Sequence, residues 1–252
     1  MFIPSKWKNK IQAYSDSNGW SPAEVVKLTT HSDCFYLKSV DVKYAATTYS
    51  VRRETEVMQW LSNKLTVPMV IDYGFEDNRE FLVMSELEGV YIDDIKDDPL
   101  IYIQHLVEII QFLQSIDILN CPFDSRVDVR LKELEFLVAN NLASLDDWGD
   151  YVSFTDPNKL YKWLCDNRPQ EDELVFSHGD VTANAFITNS GYSFNDLGRA
   201  GMADKWLDIA FCINDIRHWC KHKMYEDMFF ELLGIQPDYE KIEYYILLDE
   251  MF

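Results

Sequence analysis

The sequence lacks the features that identify secreted, membrane-spanning or nucleic-acid-binding proteins. It has no apolar run of transmembrane length, and Met1–Lys10 is polar, with three lysines, where a secretory signal would be apolar. Lys and Arg total 23 against 43 Asp and Glu, a formal charge of −20 that disfavours nucleic acid and anionic membranes as partners. The acidity either attracts a cationic substrate or serves only solubility. We therefore expect a cytoplasmic protein.

Cysteine usage excludes two further classes. The five cysteines are odd in number and widely spaced, and no C-x-x-C occurs, so neither a disulfide framework nor a zinc site is indicated. Isolated cysteines of this kind are usually small buried hydrophobes, and a reducing compartment suits them. With 252 residues, 47% of them hydrophobic, the chain is long enough for one large domain or two lobes.

The most informative stretch is residues 175–206. Within it, Ala185–Thr188 and Tyr192–Asn195 are β-prone and flank Asn189-Ser190-Gly191. Two short strands around a Gly-containing connection predict a hairpin with a three-residue loop. Because the two arms are equally long, the residue before the hairpin should return beside the residue after it.

Those flanking residues carry hard oxygen ligands. They are Asn184 and Asp196, and Asp180 lies one loop upstream. Oxygen ligands of this kind suit Mg²⁺ better than zinc, although an Asp or Asn beside a turn often only caps its own backbone. His178-Gly179-Asp180, then Asn184, a hairpin and Asp196 follow the layout of a kinase catalytic loop and its metal-binding Asp.

The N-terminal third is predicted to be a small, largely antiparallel sheet with one helix. A helical lead-in is expected over residues 1–18 and one main helix over Thr47–Lys64. Strands are predicted over Val25–Thr29, Cys34–Val40, Met69–Tyr73 and Glu80–Met84.

Two charged residues in this region have alternative interpretations. Lys38 lies among hydrophobic residues of the second strand, as either an outward solubilising charge or an inward phosphate partner. The strand by itself favours the outward orientation. Glu54 either balances Arg52 or Arg53 at the surface or points inward to hold Lys38, as in kinases.

After a polar segment at 85–89 the periodicity becomes helical. Helices are predicted around Leu106–Leu113 and Leu131–Val138, and over Leu160–Cys165, Lys205–His222, Tyr225–Leu233 and Tyr239–Phe252. The predicted fold is α+β and bilobal, like a protein kinase: an antiparallel-sheet N-lobe (1–84) that binds nucleotide, a hinge (85–89), and a larger helical C-lobe (90–252) that carries the catalytic hairpin and binds substrate. The absence of G-x-G-x-x-G, H-R-D and A-P-E motifs argues against a protein substrate.

Several long segments match a known family. They are Gly19–Ala23, Met84–Glu86, Val175–Asp180, Asp196–Arg199, Ala203–Trp206, Asp208–Cys212 and Tyr244–Glu250. On these segments the chain resembles the bacterial aminoglycoside 3′-phosphotransferases over nearly its whole length. The resemblance implies transfer of the γ-phosphate of ATP, with GTP as the alternative nucleotide, to the 3′-hydroxyl of an aminoglycoside antibiotic, with Mg²⁺ as cofactor.

The resemblance also implies roles for individual residues of the nucleotide half. Asp180 looks like the catalytic base and Asn184 and Asp196 like the Mg²⁺ ligands, while Asp208 would brace the catalytic loop. Lys38, held by Glu54, and Ser21 are expected to contact the phosphates. Tyr36 is expected to stack on the face of adenine. The backbone of Ser85 and Leu87 is expected to contact its edge.

On the substrate side, Glu250 and the terminal carboxylate of Phe252 match acids that bind ammonium groups. Arg199 is expected at the substrate mouth, and Asp146 and Asp147 match a substrate-covering loop that is longer in the family. Two departures stand out: Asn184 follows Asp180 by four residues instead of five, and His218 and Trp219 replace two adjacent drug-binding acids. His218 and Trp219 leave open a small-molecule kinase of the same fold with another hydroxylated substrate, and the shorter loop leaves open a nucleotide-binding protein without turnover.

Overall fold

The computed structural model describes residues 1–17, 22–143, 148–149 and 152–252. Within these ranges the chain forms ten strands: β1 (Ala13–Ser17), β2 (Glu24–Thr29), β3 (Cys34–Asp41), β4 (Val70–Glu76), β5 (Arg79–Ser85), β6 (Val90–Tyr91), β7 (Leu174–Ser177), β8 (Ala185–Thr188), β9 (Gly191–Phe194) and β10 (Gly201–Asp204). The same ranges hold seven α-helices: α1 (Val51–Leu61), α2 (Pro99–Gln114), α3 (Val127–Ala139), α4 (Pro157–Asp166), α5 (Trp206–Trp219), α6 (Lys223–Leu233) and α7 (Tyr239–Asp249). Short 3-10 helices cover Val42–Tyr44, Ile92–Ile95 and Leu197–Arg199.

The first five strands form one antiparallel sheet in the order β1-β2-β3-β5-β4. One face covers a buried cluster that contains Trp7, Leu28, Leu37 and Val83. The predicted helical lead-in over residues 1–18 is wrong, because residues 5–10 form turns and β1 pairs with β2. The backbone groups of β2 need partners on that side, and an extended segment supplies them where a short helix would not.

The main helix of this sheet region is shorter than predicted. α1 begins at Val51, not Thr47, because the Thr47 hydroxyl donates to Tyr44 O at 2.8 Å and accepts the Tyr49 N–H at 3.2 Å. A Thr side chain that bonds to nearby backbone competes with the helical ladder. The hydroxyl of Ser50, at the start of the helix, donates to Glu80 at 2.7 Å.

The predicted helices after residue 90 are confirmed, although α5 and α7 each end three residues earlier than predicted, at Trp219 and Asp249. The starts of α2 and α4 and the end of α6 follow from capping chemistry. α2 and α4 each begin at a proline that follows an aspartate, and the Asp98 and Asp156 side chains accept N–H groups of the first turn. α6 ends at Gly234, whose φ of 73° is the left-handed conformation that glycine adopts without strain. Within the described ranges, no helix combines the length and apolarity needed to cross a membrane.

One pair of strands in this region was not predicted. β7 pairs antiparallel with β10, and almost every residue in both strands is buried. Short strands buried on both faces show no alternation of polar and apolar residues, so the periodicity that identifies a strand is absent.

The chain divides into two compact units. The first contains Met1–Val90 and Asn184–Arg199, and the second contains Tyr91–Ala183 and Ala200–Phe252. The change at Val90 lies beside the predicted hinge, but the hairpin groups with the N-terminal unit and not, as predicted, with residues 90–252. The reason is direct bonding: the Phe194 N–H donates to Thr66 O at 3.1 Å, and Lys38 and Arg53 contact the segment that follows β9.

Candidate active site

A buried lysine joins the sheet, α1 and the segment after the hairpin. Lys38 Nζ lies 2.8 Å from Glu54 Oε2 and 2.6 Å from Asp196 Oδ1. The Lys38 and Glu54 side chains are only 7% and 2% exposed, whereas Asp196 is 41% exposed. The outward orientation that the strand pattern favoured for Lys38 is therefore wrong, and so is a surface position for Glu54. Side chains alternate along β3, so Leu37 enters the apolar cluster and Lys38 meets α1 on the opposite face.

The two carboxylates keep this lysine charged. Burial would lower the pKa of Lys38, but the charges of Asp196 and Glu54 outweigh it and raise the pKa above its ordinary value. Burial raises the pKa of Glu54, opposed by the Lys38 charge and supported by that of Asp196. The ammonium is thus held firmly, with one partner that faces solvent.

The hairpin has the predicted equal arms. β8 and β9 pair in register from Ala185–Phe194 to Thr188–Gly191, so the loop contains Asn189 and Ser190 only. The predicted three-residue loop is wrong because Gly191, with a φ of 125°, already belongs to the second strand. At the open end the Asn195 N–H donates to Asn184 O at 3.1 Å, which brings the Asn184 and Asp196 backbones together as expected.

The residues at the open end of the hairpin suit a hard divalent cation. Asn184 is mostly buried, and Asp196 has a φ of 49°, a left-handed conformation that Asp tolerates and most other residues avoid. Together they offer amide and carboxylate oxygens, which fit Mg²⁺. No cluster of three or more His, Cys, Asp or Glu side chains that could hold a metal occurs in the described residues. A site with one or two protein ligands is typical of Mg²⁺ that also binds substrate phosphates.

Arg53 holds the turn that follows Asp196. Its Nε donates to Gly198 O at 2.8 Å, and Gly198 lies so close to the Thr48 carbonyl that an added Cβ would be 2.4 Å from it. The sequence suggested Arg53 only as a surface partner of Glu54. Its neighbours in sequence carried no signal for this backbone contact, which depends on how α1 packs against the 3-10 helix Leu197–Arg199.

In the second unit, Asp208 braces the loop that carries Asp180, as expected. Its two carboxylate oxygens accept the N–H groups of His178 at 2.7 Å and Gly179 at 2.8 Å. Burial raises the pKa of Asp208, and the neighbouring His178 and these two N–H groups act in the opposite direction. Gly179 has a φ of 80°, so this turn requires a residue that accepts a left-handed backbone. Asp180 follows directly and is partly exposed.

The residues expected to contact adenine lie on β3 and after β5. Tyr36 and Ser85 belong to adjacent, paired strands, and Lys27 Nζ lies 5.6 Å from the centre of the Tyr36 ring and 2.5 Å from Glu86. The Ser85 N–H donates to Met69 O at 3.0 Å, so this N–H is already used within the protein. Leu87 follows, half-buried, in an irregular segment whose other residues are exposed. Ser21 lies outside the described residues.

The residues predicted to bind the substrate have different neighbours in the structure. Glu250 Oε2 accepts the Gly149 N–H at 2.8 Å, and the Phe252 ring lies 5.5 Å from the Arg130 guanidinium. Arg199 lies over the Tyr49 ring at 5.7 Å. Asp146 and Asp147 lie outside the described residues.

His218 and Trp219 end α5, and both are exposed. Their rings are 4.8 Å apart and nearly perpendicular. The Trp219 indole N–H donates to Asp215 at 3.1 Å, so the tryptophan is held by its own helix.

Two solved structures of phosphotransferases share this fold. An aminoglycoside-3′-phosphotransferase of type VIII matches with a TM-score of 0.79 at 23% identity, over 95% of this chain and 94% of that one. An aminoglycoside phosphotransferase of Streptomyces rimosus matches with a TM-score of 0.77 at 22% identity, over 94% and 92%. The fold is therefore protein-kinase-like, and the model of a phosphotransferase enzyme family matches residues 15–245.

The curated relatives narrow this class. An aminoglycoside 3′-phosphotransferase of Campylobacter jejuni is 54% identical over 98% of this chain and 100% of its own length. Enzymes of the same name from Enterococcus faecalis and Staphylococcus aureus are 45% and 44% identical over 100% of this chain and 99% of their own lengths. The chain belongs to the aminoglycoside 3′-phosphotransferase family.

Proposed function

We propose that this protein transfers the γ-phosphate of ATP to the 3′-hydroxyl of aminoglycoside antibiotics and so confers resistance to them. The observation that carries the proposal is the 54% identity to the Campylobacter jejuni 3′-phosphotransferase over 98% of the chain. The reaction is assigned to the cytoplasm, where ATP is available, and the five cysteines, all within the described residues, are free thiols.

Lys38 is assigned to the phosphates of ATP. Its ammonium is fixed between Glu54 and Asp196 and remains charged, which is what binding a phosphate as a point charge requires. Asn184 and Asp196 would hold Mg²⁺, which neutralises phosphate charge when it is bound. Ser21 is assigned to the phosphates as well.

Adenine is assigned to the strand surface formed by β3 and β5. Tyr36 would stack on its face, while the Ser85 carbonyl and the Leu87 backbone N–H would bond to its edge. This division follows from the Ser85 N–H, which is already donated to Met69. A carbonyl and an N–H two residues apart match the donor and acceptor on one edge of adenine, and GTP presents the opposite pattern.

Asp180 is assigned as the base that accepts the hydroxyl proton. Its loop is positioned by Asp208, whose carboxylate takes two consecutive backbone N–H groups. A buried anion that holds the backbone fixes where the Asp180 carboxylate is placed, and such positioning is the main contribution a protein makes to phosphoryl transfer.

The acceptor is assigned as a polycation. An aminoglycoside carries several ammonium groups, and a chain with a formal charge of −20 attracts it over distance. Glu250, the Phe252 carboxylate, Asp146 and Asp147 would pair with ammonium groups. Arg199 is assigned to the mouth of the substrate site, and His218 and Trp219 would set the range of drugs.

The decisive test is coupled ADP release with ATP and Mg²⁺ against aminoglycosides with and without a 3′-hydroxyl. We expect turnover only with drugs that carry this hydroxyl. Asp180→Ala should lower kcat by about 10²- to 10⁴-fold, the usual contribution of a general base, with the Kd for ATP nearly unchanged. ADP release with another hydroxylated compound only would assign a different substrate, and nucleotide binding without any turnover would overturn the proposal.

A further inference from the structure

A second lysine of the chain is enclosed by acids and aromatic rings in the second unit. Lys96 Nζ lies 2.9 Å from Asp93 and 3.3 Å from Asp215. It also lies 4.6 Å from the centre of the Trp219 ring and 5.8 Å from that of Tyr102. The Lys96 side chain is 11% exposed. We name these five residues the Lys96 cage.

The acids and rings of the cage are themselves positioned. Asp215 accepts hydrogen bonds from the Tyr102 hydroxyl and from the Trp219 indole N–H, the latter at 3.1 Å. One carboxylate is thus fixed by two aromatic side chains while it faces an ammonium. Two carboxylates and the face of an indole are what a protein uses to bind an alkylammonium ligand.

Two residues of the cage, Asp215 and Trp219, lie on α5, the helix whose Asp208 braces the catalytic loop. Asp208, Asp215 and Trp219 are spaced by seven and four residues along α5, so they share one face of the helix. Seven residues correspond to about 10 Å of helix, a distance shorter than an aminoglycoside of three or four rings. A drug whose hydroxyl lies at Asp180 is therefore long enough to have an ammonium group about as far away as Asp215 is from Asp208.

We propose that Asp93, Asp215 and Trp219 form a binding site for a substrate ammonium group and that Lys96 is its tethered occupant. The inference rests on the proposed function for the identity of the ligand as a polyamine. A tethered amine competes as if it were present at about millimolar concentration. Only ligands that outcompete it gain these contacts, so Lys96 sets which cationic substrates bind well.

A purely structural role makes a different prediction. In that case Lys96 ties the 3-10 helix Ile92–Ile95 to α5, and its loss lowers stability without improving the binding of any cation. The two roles are separated by affinity for amines, which rises only if Lys96 occupies a site that an external amine can take.

The test compares three variants of the full-length protein. Lys96→Met removes the ammonium and keeps the aliphatic stem, and Lys96→Arg keeps the charge. The matched control is Lys223→Met, because Lys223 also lies close to an acid, Asp227 at 2.8 Å, and over an aromatic ring, Tyr239 at 5.2 Å. Lys223→Met changes the net charge by the same amount as Lys96→Met, and Lys223 lies on α6, which contributes no residue to the cage. Thermal unfolding of each variant is measured first.

Two readouts then follow, calorimetric titration with spermidine and steady-state kinetics with neomycin and paromomycin. Lys96→Met should bind spermidine about three- to tenfold more tightly, the value of a partly exposed ion pair with a cation–π contact. KM for the drugs should fall by the same factor while kcat and the KM for ATP stay within about twofold. Lys96→Arg and Lys223→Met should match the wild type.

The outcomes separate this inference from the proposed function. If Lys96→Met binds spermidine more tightly but neither the wild type nor any variant turns over an aminoglycoside, the ammonium site is supported and the drug is excluded as its ligand. Normal wild-type turnover with unchanged or weaker amine binding in a folded Lys96→Met would overturn the inference and leave the proposed function intact. An equal gain in Lys223→Met would also overturn it, because net charge alone would then explain the result.

Discussion

Each unit of the molecule contains a buried lysine between one buried and one solvent-facing acid, but the two lysines are held differently. Lys38 lies nearest Asp196, the acid that faces solvent, at 2.6 Å. Lys241 lies nearest Asp204, which is fully buried, at 2.9 Å, and its solvent-facing acid, Asp172, is 3.4 Å away. The same kinds of groups therefore form two different ion-pair clusters: Lys38 is closest to its solvent-facing acid, and Lys241 is closest to its buried acid.

The difference follows from what else each acid contacts. Asp204 ends β10, and its other oxygen accepts the Trp206 N–H at 3.1 Å, so its bonding is satisfied inside the protein and ties α7 to the strand. Asp196 stands at a left-handed backbone position after the hairpin with much of its carboxylate exposed. A buried ion pair gives little net stability, but a partner that faces solvent can be exchanged for a ligand.

The sharpest contrast should come from neutralising the two solvent-facing acids. Asp196→Asn should lower kcat/KM by about 10³-fold, because it removes a carboxylate assigned to the metal that neutralises the phosphates. Asp172→Asn, which alters the long contact of Lys241, should leave activity unchanged and shift the free energy of unfolding by less than about 0.5 kcal/mol. ADP release and urea unfolding measure both. Equal losses of activity would show that the two lysine clusters are equivalent.

Replacing the lysines should lower activity only in the first unit, whereas in the second it should lower stability alone. Lys38→Met should lower kcat/KM by about 10²-fold, the effect of removing one preorganised charge from a reacting phosphate. It should lower stability as well, because the buried Glu54 loses its cation, whereas the exposed Asp196 hydrates.

Lys241→Met should instead leave Asp204 buried without its cation and lower the free energy of unfolding by about 3–5 kcal/mol, with the KM for ATP unchanged. Urea unfolding and ATP-dependent kinetics at a temperature where both variants are folded provide the comparison. A Lys241→Met protein with native stability would contradict the structural role.

The smallest expected effects concern two glycines that lie against backbone. An added Cβ would be 2.4 Å from Thr48 O at Gly198 and 2.7 Å from Phe123 O at Gly201. Gly198→Ala and Gly201→Ala should each lower stability by about 1–3 kcal/mol, as overpacking does. Only Gly198→Ala should also weaken ATP binding, because Gly198 lies two residues after Asp196 and its carbonyl accepts a hydrogen bond from Arg53. Calorimetric titration with ATP measures this, and equal ATP affinities would disprove it.

Patterns in the sequence predicted most elements and failed where partners are distant. Four strands of the sheet and the later helices follow periodicity and caps, which are local. The strand Ala13–Ser17 and the β7–β10 pair form because another strand needs backbone partners, and neither shows a clear alternating pattern. The hairpin was found from its turn, although its loop is one residue shorter than predicted.

The candidate site shows the same division. Asp180, Asn184 and Asp196 were identified from their order along the chain and Asp208 from the resemblance to a family. The strand pattern placed Lys38 outward, because nothing within the strand reveals that α1 covers its second face. The Arg53–Gly198 contact and the position of Lys96 beside Asp215 and Trp219 had no local signal, since each depends on a side chain that meets a distant helix or turn.

The sequence by itself determined the family, the order of the catalytic groups and the acidity that suits a cationic substrate, because these depend on residue identity and spacing. Only the tertiary structure decided which lysine is buried with a releasable partner and which is fixed in place. It also decided that Lys96 lies between Asp93, Asp215 and Trp219. Burial and ion pairing depend on which surfaces pack together, and residues far apart in the chain supply those surfaces.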